Sequence, residues 1–383
     1  MMDSPIYLDY NATTPVDPEV LDSMLPYFSK ISGNASNAIN IHGKKSLDAV
    51  EEAREKIASL IYCHPSEIIF TSGATESINL FLKGIVLNNK YSISSILTTK
   101  TDHSAVLETC KYLEMQNVET VFLPLTPSGL VDIGKLENCL SKETQLLSLI
   151  HANNETGTIQ NTNMIGNTTK NKNTIFFSDA TQAVGKIKID PKKDFIDGMA
   201  FSAHKLYGPK GIGALFINKD TISHQLLPLH HGGGQEKGLR SGTMNVPGIV
   251  GFGKACEIAQ KCIKNEQVRI SNLRNLLLDG IQKTKGIQLN GEIQQLLPNT
   301  LNLSIEGVEA HMLVEALEST LSISTGSACG TGNRKPSHVL QALKYSKDRI
   351  GSSIRISIGR YTNKEEIENT IIAINDTISK LRI

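Results

Sequence analysis

A lysine and an aspartate, each following a short apolar run, are the residues of this sequence best placed to do chemistry. Lys205 follows the run 199–202, and Asp179 follows the run 174–178. A lysine at a strand end can lose its charge through desolvation and form a Schiff base. An acid at a neighbouring strand end could pair with a pyridinium nitrogen. Most single lysines are simply solvated, so it is the pairing with Asp179 that favours a chemical role.

A turn rich in glycine and hydroxyl side chains is the second pattern. The segment TSGATES (residues 71–77) joins a β-rich run to an amphipathic stretch. Free backbone N–H groups at such a helix start attract a phosphate. An ordinary capped turn between a strand and a helix explains the segment equally well when it is taken alone.

One cysteine differs from the other five in its surroundings. Cys329 lies among small residues in STGSACGTG (residues 324–332), with Arg334 and Lys335 following before Pro336. Small residues allow a mobile loop, and nearby cations favour the thiolate. The six cysteines form no CxxC pair, which fits neither a disulfide framework nor a zinc ribbon and favours a reducing cytoplasm. We interpret the others as inert buried thiols: Cys63, Cys110, Cys139, Cys256 and Cys262.

The first two thirds of the chain alternate short β-rich runs with helix-like stretches such as 76–86 and 104–114. This alternation is typical of βαβ units and a mainly parallel sheet. The segment 161–174, rich in Asn, Thr and Lys, is expected to be a polar surface segment. The predicted strands are 67–71, 93–98, 118–123, 145–150, 174–178, 199–202 and 213–217. An α/β domain with a seven-stranded sheet is therefore predicted.

The last third of the sequence has a different pattern of predicted elements from the βαβ alternation that precedes it. From Pro247 to about residue 285 the pattern predicts one linking helix. Beyond it lie the predicted strands 299–305, 321–324 and 354–358, and the predicted helices 311–318, 336–343 and from Lys364 onwards. We expect a large cofactor-binding domain at 15–255, and a small α+β domain made of 1–14 and 256–383 that carries the Cys329 loop.

Composition excludes several classes of function. The 383 residues carry 39 basic and 38 acidic side chains, so the net charge of +1 provides no field for nonspecific binding of nucleic acid or anionic membrane. An aromatic content of 5% without Trp argues against a stacking platform for single strands. No apolar run reaches membrane-spanning length and the first residues lack a signal pattern. We expect a cytoplasmic protein with no direct nucleic-acid or membrane partner.

Several motifs stand together in one order along the chain. They are LDYNATTP (8–15), TSGATES (71–77), NNETG (153–157), DATQAVGK (179–186), SAHKLYGPKGIG (202–213), RSGT (240–243) and GSAC (326–329). In this order they resemble the cysteine desulfurases of the class V aminotransferase superfamily. The resemblance spans residues 7–360 and implies the fold type I architecture, a homodimer and the cofactor pyridoxal 5′-phosphate.

The resemblance also implies roles for individual residues. Lys205 would bind the cofactor covalently and Asp179 would pair with its pyridine nitrogen, while Gln182 and Asn154 would contact its phenolic oxygen. His103 would stack on the ring and move protons. The remaining cofactor contacts would come from Ala74, Thr75, Ser202, His204 and, from a second subunit, Thr243.

The implied reaction converts L-cysteine to L-alanine and leaves the sulfur on Cys329 as a persulfide. Arg355, with Asn154, would bind the substrate carboxylate as a bidentate fork. An acceptor protein would then take the sulfur for iron–sulfur assembly, tRNA thiolation or DNA phosphorothioation. Two alternatives stay open: a selenocysteine lyase, and a cofactor-bound protein that holds a partner without turnover.

Three other observations carry less weight. Relatives often have Pro and His where this chain has Ala35 and Asn40, so a role of that His does not transfer. His230 and His231 lack a carboxylate or thiol at metal-ligand spacing, which favours a loop near the mouth of the site. His151, at a strand end, is expected to be structural.

Overall fold

The computed structural model describes residues 4–140, 143, 145–172, 174–222, 226–325 and 336–382. Within these ranges the strands are β1 (Ile6–Tyr7), β2 (Ile68–Thr71), β3 (Ser95–Thr98), β4 (Glu119–Phe122), β5 (Gln145–Ile150), β6 (Thr174–Asp179), β7 (Gly198–Ser202), β8 (Gly213–Ile217), β9 (Ile287–Leu289), β10 (Thr300–Ile305), β11 (Leu321–Ser322), β12 (Ser324–Thr325) and β13 (Ser353–Ser357). The helices are α1 (Pro18–Met24), α2 (Pro26–Ser29), α3 (Ile41–Leu60), α4 (Ala74–Val86), α5 (Ser104–Glu114), α6 (Ile133–Cys139), α7 (Thr162–Thr169), α8 (Val246–Ile281), α9 (Ala310–Leu317), α10 (His338–Ala342), α11 (Lys347–Gly351) and α12 (Lys364–Leu381).

A seven-stranded sheet in the order β2-β8-β7-β6-β5-β3-β4 forms the centre of the molecule. Strand β8 runs antiparallel to both of its neighbours, and the other pairs are parallel. Helices cover both faces of a parallel sheet, so its strands are buried along their whole length, as β5 and β8 are. The predicted α/β fold with a mainly parallel seven-stranded sheet is confirmed.

The register of β6 and β7 explains why the two chemical residues predicted from sequence become neighbours. Asp179, at the end of β6, lies opposite Ala200 of β7. Lys205 follows the end of β7 by three residues, in a short 3-10 turn, Ala203–Lys205. Because the carboxyl ends of parallel strands meet at one sheet edge, both side chains lie at the edge where α/β proteins bind ligands.

Helix α8 joins two hydrophobic cores. Its first half packs against α1 and α3 and contributes Phe252 to the core beneath the large sheet. Its second half packs against α12 and contributes Leu277 to a separate core with β10 and β13. The predicted linking helix is present, and the proposed boundary after residue 255 falls inside it.

The smaller core lies against one face of a four-stranded antiparallel sheet in the order β12-β13-β10-β9. Alternation along β10 buries Leu301 and Leu303 in this core and leaves Asn302 on the opposite, polar face. Strand β1 pairs in parallel with β11, so Ile6 lies opposite Leu321. The first residues of the chain are thereby built into the last third.

Two segments differ from the sequence-based expectation, and Asn40, to which the sequence assigned no role, has one in the structure. The polar segment 161–174 contains α7, because the Asn161 side chain accepts a hydrogen bond from the Met164 N–H and starts a helix that buries Ile165. The predicted strand 321–324 is divided into β11 and β12. Asn40 caps the 20-residue α3 by accepting from the Gly43 N–H, a role that needs no histidine.

Candidate active site

A cavity of about 690 Å³ opens at the carboxyl edge of the large sheet, beneath the polar face of the small one. Ten of the residues predicted for the site line it: Ala74, Thr75, His103, Asn154, Asp179, Gln182, Ser202, His204, Lys205 and Arg355. Thr243 is exposed and is not in the wall of this cavity. Cys329, Arg334 and Lys335 lie outside the described residues.

Lys205 projects into the cavity with its amine held by main-chain oxygens. Its Nζ donates hydrogen bonds of 2.6 Å to the carbonyl oxygens of Asn11 and Ala12. Burial, followed by the positive charge of Arg355, lowers the pKa of Lys205 from 10.5 to about 8, against the opposing effect of Asp9 and Asp179. An amine that loses its proton this easily can act as a nucleophile or a base near neutral pH.

Asp179 presents a buried carboxylate at the end of β6. One oxygen, Oδ1, accepts hydrogen bonds from the Thr181 N–H at 3.0 Å and from the Thr181 hydroxyl at 2.5 Å. The residue is 3% exposed and lines the cavity. These bonds hold the carboxylate in the orientation that a ring N–H would need.

His103 is the N-cap of α5. Its Nδ1 accepts a hydrogen bond of 3.1 Å from the Ala105 N–H. Nε2 is therefore the ring nitrogen left to exchange a proton with a molecule in the cavity. Below it, Asp102 is fully buried, and its Oδ1 has no hydrogen-bond partner among the residues that the structure describes. Burial raises the pKa of Asp102 to about 7.

The start of α4 forms one end of the cavity. Its N-cap, Gly73, offers no side-chain hydrogen bond to the first turn, so N–H groups there are left for a ligand. A Cβ at Gly213 would lie 2.6 Å from the Gly73 Cα, so glycine is needed for this close approach of β8. Burial, followed by Lys205, lowers the pKa of His204 to about 4 and keeps its ring neutral beside Ser202.

Arg355 reaches the cavity from β13. Its Nη2 donates to Asp9 Oδ1 at 2.7 Å and its Nη1 donates to the Asn154 carbonyl at 3.3 Å. Its Nε is buried and has no partner in the described part of the chain. A buried, unpartnered guanidinium N–H is costly unless a ligand oxygen meets it. The arrangement suits a carboxylate at this end of the cavity.

Sequence reasoning missed a residue on which the whole site converges. Asn11 is 1% exposed. Its side chain donates to the Asn154 carbonyl and the Thr300 hydroxyl, and its main-chain oxygen accepts from Gln182 and Lys205. Its motif was noticed only as part of the family resemblance, and nothing local in LDYNATTP indicates these distant partners.

The remaining sequence candidates are placed as follows. His151 is buried, which lowers its pKa to about 4, in line with a structural role. His230 lies 3.8 Å from the Glu76 carboxylate, which is in the cavity wall. Burial raises the pKa of both Cys63 and Cys110 to about 12, which makes them poor nucleophiles. No group of metal-ligating side chains and no helix able to cross a membrane occurs among the described residues.

Comparison with known proteins agrees with this architecture. Residues 6–370 match the class-V aminotransferase family. The chain is 44% identical to a protein of Methylobacillus flagellatus named cysteine desulfurase IscS, over 99% of this chain and 93% of that one. A solved NifS-like protein superposes with a TM-score of 0.92 at 37% identity, over 98% of this chain and all of that one. A structure described as SspA in complex with cysteine superposes with a TM-score of 0.82 at 36% sequence identity, over 94% of this chain and all of that one.

The chain therefore belongs to the class-V aminotransferase family, whose members depend on pyridoxal 5′-phosphate. Within that family it is similar over its full length to proteins named cysteine desulfurases, so the resemblance drawn from its motifs is confirmed. The cavity fits the cofactor: it offers an amine of lowered pKa in Lys205, a buried carboxylate in Asp179 and an uncapped helix start at Gly73.

Proposed function

We propose that this protein is a cysteine desulfurase that converts L-cysteine to L-alanine, stores the sulfur on Cys329 as a persulfide and delivers it to an acceptor protein. The observation that carries the proposal is the convergence of Lys205, Asp179, His103 and Arg355 on one cavity. These side chains supply a base, a charged ring partner, a proton carrier and a carboxylate-binding group.

Three side chains of the cavity have distinct roles in substrate binding and proton transfer. Arg355 holds the carboxylate of L-cysteine and so orients the bond between Cα and its hydrogen. The Lys205 amine donates to two carbonyls, which leaves the lone pair of its neutral form free to take the Cα proton. His103 moves a second proton at Nε2, a contribution of about 10²–10⁴-fold. Pyridoxal phosphate, when bound, supplies the electron sink for the substrate carbanion.

The sulfur step balances without an external oxidant. The carbon–sulfur bond of L-cysteine breaks, and a bond forms between that sulfur and the Cys329 sulfur. The substrate Cβ gains a proton and becomes the methyl group of alanine, while Cys329 is left as a persulfide. A thiolate on the acceptor protein then attacks the outer sulfur, the sulfur–sulfur bond breaks, and Cys329 leaves as a thiolate.

The described residues on both sides of Cys329 support this assignment. Ser324 and Thr325 are in the cavity wall. Cys329 follows Thr325 by four positions, a distance of at most about 14 Å for extended chain. On the other side, Ser337 bonds to Glu155 and the His338 ring contacts the Asp102 carbonyl at 3.0 Å. Both flanks are thus attached to segments that carry site residues.

A homodimer would complete the site. The Thr243 loop and the segment before α3 are adjacent, because Gln235 bonds to both the Gly242 N–H and the Ser36 hydroxyl. Ile39 in that segment is fully exposed, and further large apolar side chains are exposed nearby in sequence: Leu21, Leu25, Phe28 and Ile41. A second copy covering this face would bury them and bring the partner subunit's Thr243 towards the cofactor phosphate.

The proposed setting is the reducing cytoplasm, since a persulfide enzyme needs its thiols reduced, and no direct contact with nucleic acid is proposed. The acceptor would belong to iron–sulfur assembly, tRNA thiolation or DNA phosphorothioation. The first test incubates the cofactor-loaded protein with L-cysteine, quantifies alanine and maps added sulfur by peptide mass spectrometry. Sulfur on the Cys329 peptide with matching alanine is expected. Alanine from selenocysteine alone would identify a selenocysteine lyase, and neither product would favour a partner-binding protein without turnover.

A further inference from the structure

A second lysine lies behind the cavity, next to Lys205. Lys186 is the last residue of DATQAVGK, and its partly buried side chain lines a small pocket of about 40 Å³ together with Lys205. Gly185 makes this position possible: its φ is +79°, and a Cβ there would lie 2.9 Å from the Leu206 Cβ. The turn is thus pressed against the segment that follows Lys205.

The amine of Lys186 is bonded to a side chain of the candidate site. Its Nζ donates to Gln182 Oε1 at 2.6 Å, and a longer contact of 3.5 Å reaches Asn11 Oδ1. No carboxylate forms an ion pair with Lys186 in the described part of the chain. An amine placed without a counter-charge costs stability, so its contact with Gln182 needs an explanation beyond packing.

The two partners of Gln182 determine which way its amide points. A main-chain carbonyl only accepts, so the Asn11 oxygen must meet the amide nitrogen; the amide oxygen is then the atom to which the Lys186 amine must donate. The observed contacts obey both requirements, with Gln182 Nε2 donating to the Asn11 oxygen at 2.8 Å. One Nε2 hydrogen is thereby used, and the other is left to donate into the cavity that Gln182 lines.

We propose that Lys186 is a positioning residue that locks the amide of Gln182 with its N–H towards the cavity, so that Gln182 can donate only to an oxygen of the bound cofactor. Without Lys186 the amide oxygen loses its donor, and only the Asn11 carbonyl then opposes rotation of the amide. The amide is held less firmly and presents an acceptor to the cofactor oxygen for part of the time. This inference rests on the proposed function, in which Gln182 faces the phenolic oxygen of pyridoxal phosphate.

The lock has an observable electrostatic consequence. A donor to the phenolic oxygen competes with the Schiff-base N–H for that oxygen and so lowers the pKa of the Lys205 Schiff base. Burial, then Lys205 and Arg355, also hold the pKa of Lys186 well below its usual range. The other charged or titratable groups near this pair include Asp9, Asp179, His204, Tyr10, Tyr207, Glu266 and Arg360.

The test titrates the visible absorbance of the cofactor-loaded enzyme without substrate, a readout independent of turnover. Lys186→Met is expected to raise the pKa of the Schiff base by about one unit, a tenfold change in its acid dissociation constant. Lys186→Gln keeps a polar side chain but is too short to span the same gap, and the same rise is expected. Lys188→Met, at an exposed lysine two residues away, serves as the matched control and leaves the titration unchanged.

A double-mutant comparison separates positioning from a general structural effect. If Lys186 acts through Gln182, then adding Lys186→Met to Gln182→Ala produces no more shift than Gln182→Ala alone. Full additivity of the two shifts, or an unchanged titration in folded Lys186→Met and Lys186→Gln proteins, would overturn the proposal. Persulfide formation on Cys329 is assayed separately. If no persulfide forms but Lys186→Met still shifts the titration, the proposed activity is wrong and the positioning role of Lys186 is still supported.

Discussion

Arg355 is held by Asp9 across 2.7 Å, and the same aspartate accepts a hydrogen bond from the Ser324 hydroxyl at 2.9 Å. One carboxylate therefore orients the guanidinium and also fastens β12, the strand after which the Cys329 segment begins. The group proposed to bind the substrate carboxylate and the chain that leads to the proposed sulfur acceptor share a single anchor.

Removing the guanidinium tests the carboxylate site. Arg355→Ala is expected to raise KM for L-cysteine about 10- to 100-fold, because a charge-assisted hydrogen bond contributes about 1.5–3 kcal/mol. Asp9→Asn keeps the size and shape of the side chain that orients Arg355, and it is expected to raise KM for L-cysteine less. Steady-state kinetics measure both. Arg349→Ala, which removes a guanidinium bonded to Asn290 away from the cavity, is the control; an equal change in KM there would contradict the assignment.

Cys329 separates cofactor chemistry from sulfur transfer. Cys329→Ala is expected to keep the cofactor absorbance and to lose persulfide and alanine formation at least about 100-fold, because the nucleophile is missing. Mass spectrometry and amino-acid analysis provide the measurement, with Cys262→Ala as the matched cysteine control. Full sulfide release from L-cysteine by Cys329→Ala in the presence of reductant would show that another group receives the sulfur.

Lys205 can be tested with and without the cofactor. In cofactor-free protein, an amine-reactive reagent should modify Lys205 with a midpoint near pH 8, because burial lowers the pKa of its amine to about 8. In loaded protein, borohydride reduction should attach the cofactor mass to the Lys205 peptide and should fail in Lys205→Ala. A midpoint above pH 10, or reduction onto another lysine, would refute this assignment.

The buried His151 ring is expected to make the folded protein less stable in acid. Burial lowers its pKa from 6.5 to about 4. The unfolded chain therefore binds more protons between these values, and stability falls as the pH drops from 6.5 to 4, by about 3 kcal/mol. The Gln side chain of His151→Gln cannot become charged. In urea titrations, the decrease in the free energy of unfolding between pH 7 and pH 4 should therefore be about 3 kcal/mol smaller for this variant than for the unmodified protein. Equal acid sensitivity of the two proteins would show that the ring is not held neutral.

The sequence was most informative where local pattern and tertiary environment agree. Strands β5, β7 and β8 are buried along their whole length and consist mainly of apolar residues, so each stands out as a short hydrophobic run. Asp179 and Lys205 were predictable as a pair because each follows such a run. Helix α7 was not predicted, since only Met164 and Ile165 among its eight residues are large and apolar.

The contacts that organise the site could not be read from the sequence. Asn11 bonds to Ser357, 346 positions away, and to Thr300, and no local pattern encodes such a partner. Lys186 looks like any lysine that follows a glycine. Only the fold shows that its amine points at Gln182.

The pairing of β1 with β11 bears on the order in which the protein is made. Ile6 leaves the ribosome early but finds its partner, Leu321, only after most of the chain has been synthesised. The carbonyl oxygens of Asn11 and Ala12 follow this strand, so the Lys205 amine gains its two acceptors late. A nascent chain that already contains the whole large sheet therefore still lacks the finished site, and cofactor capture belongs to the final stage of biogenesis.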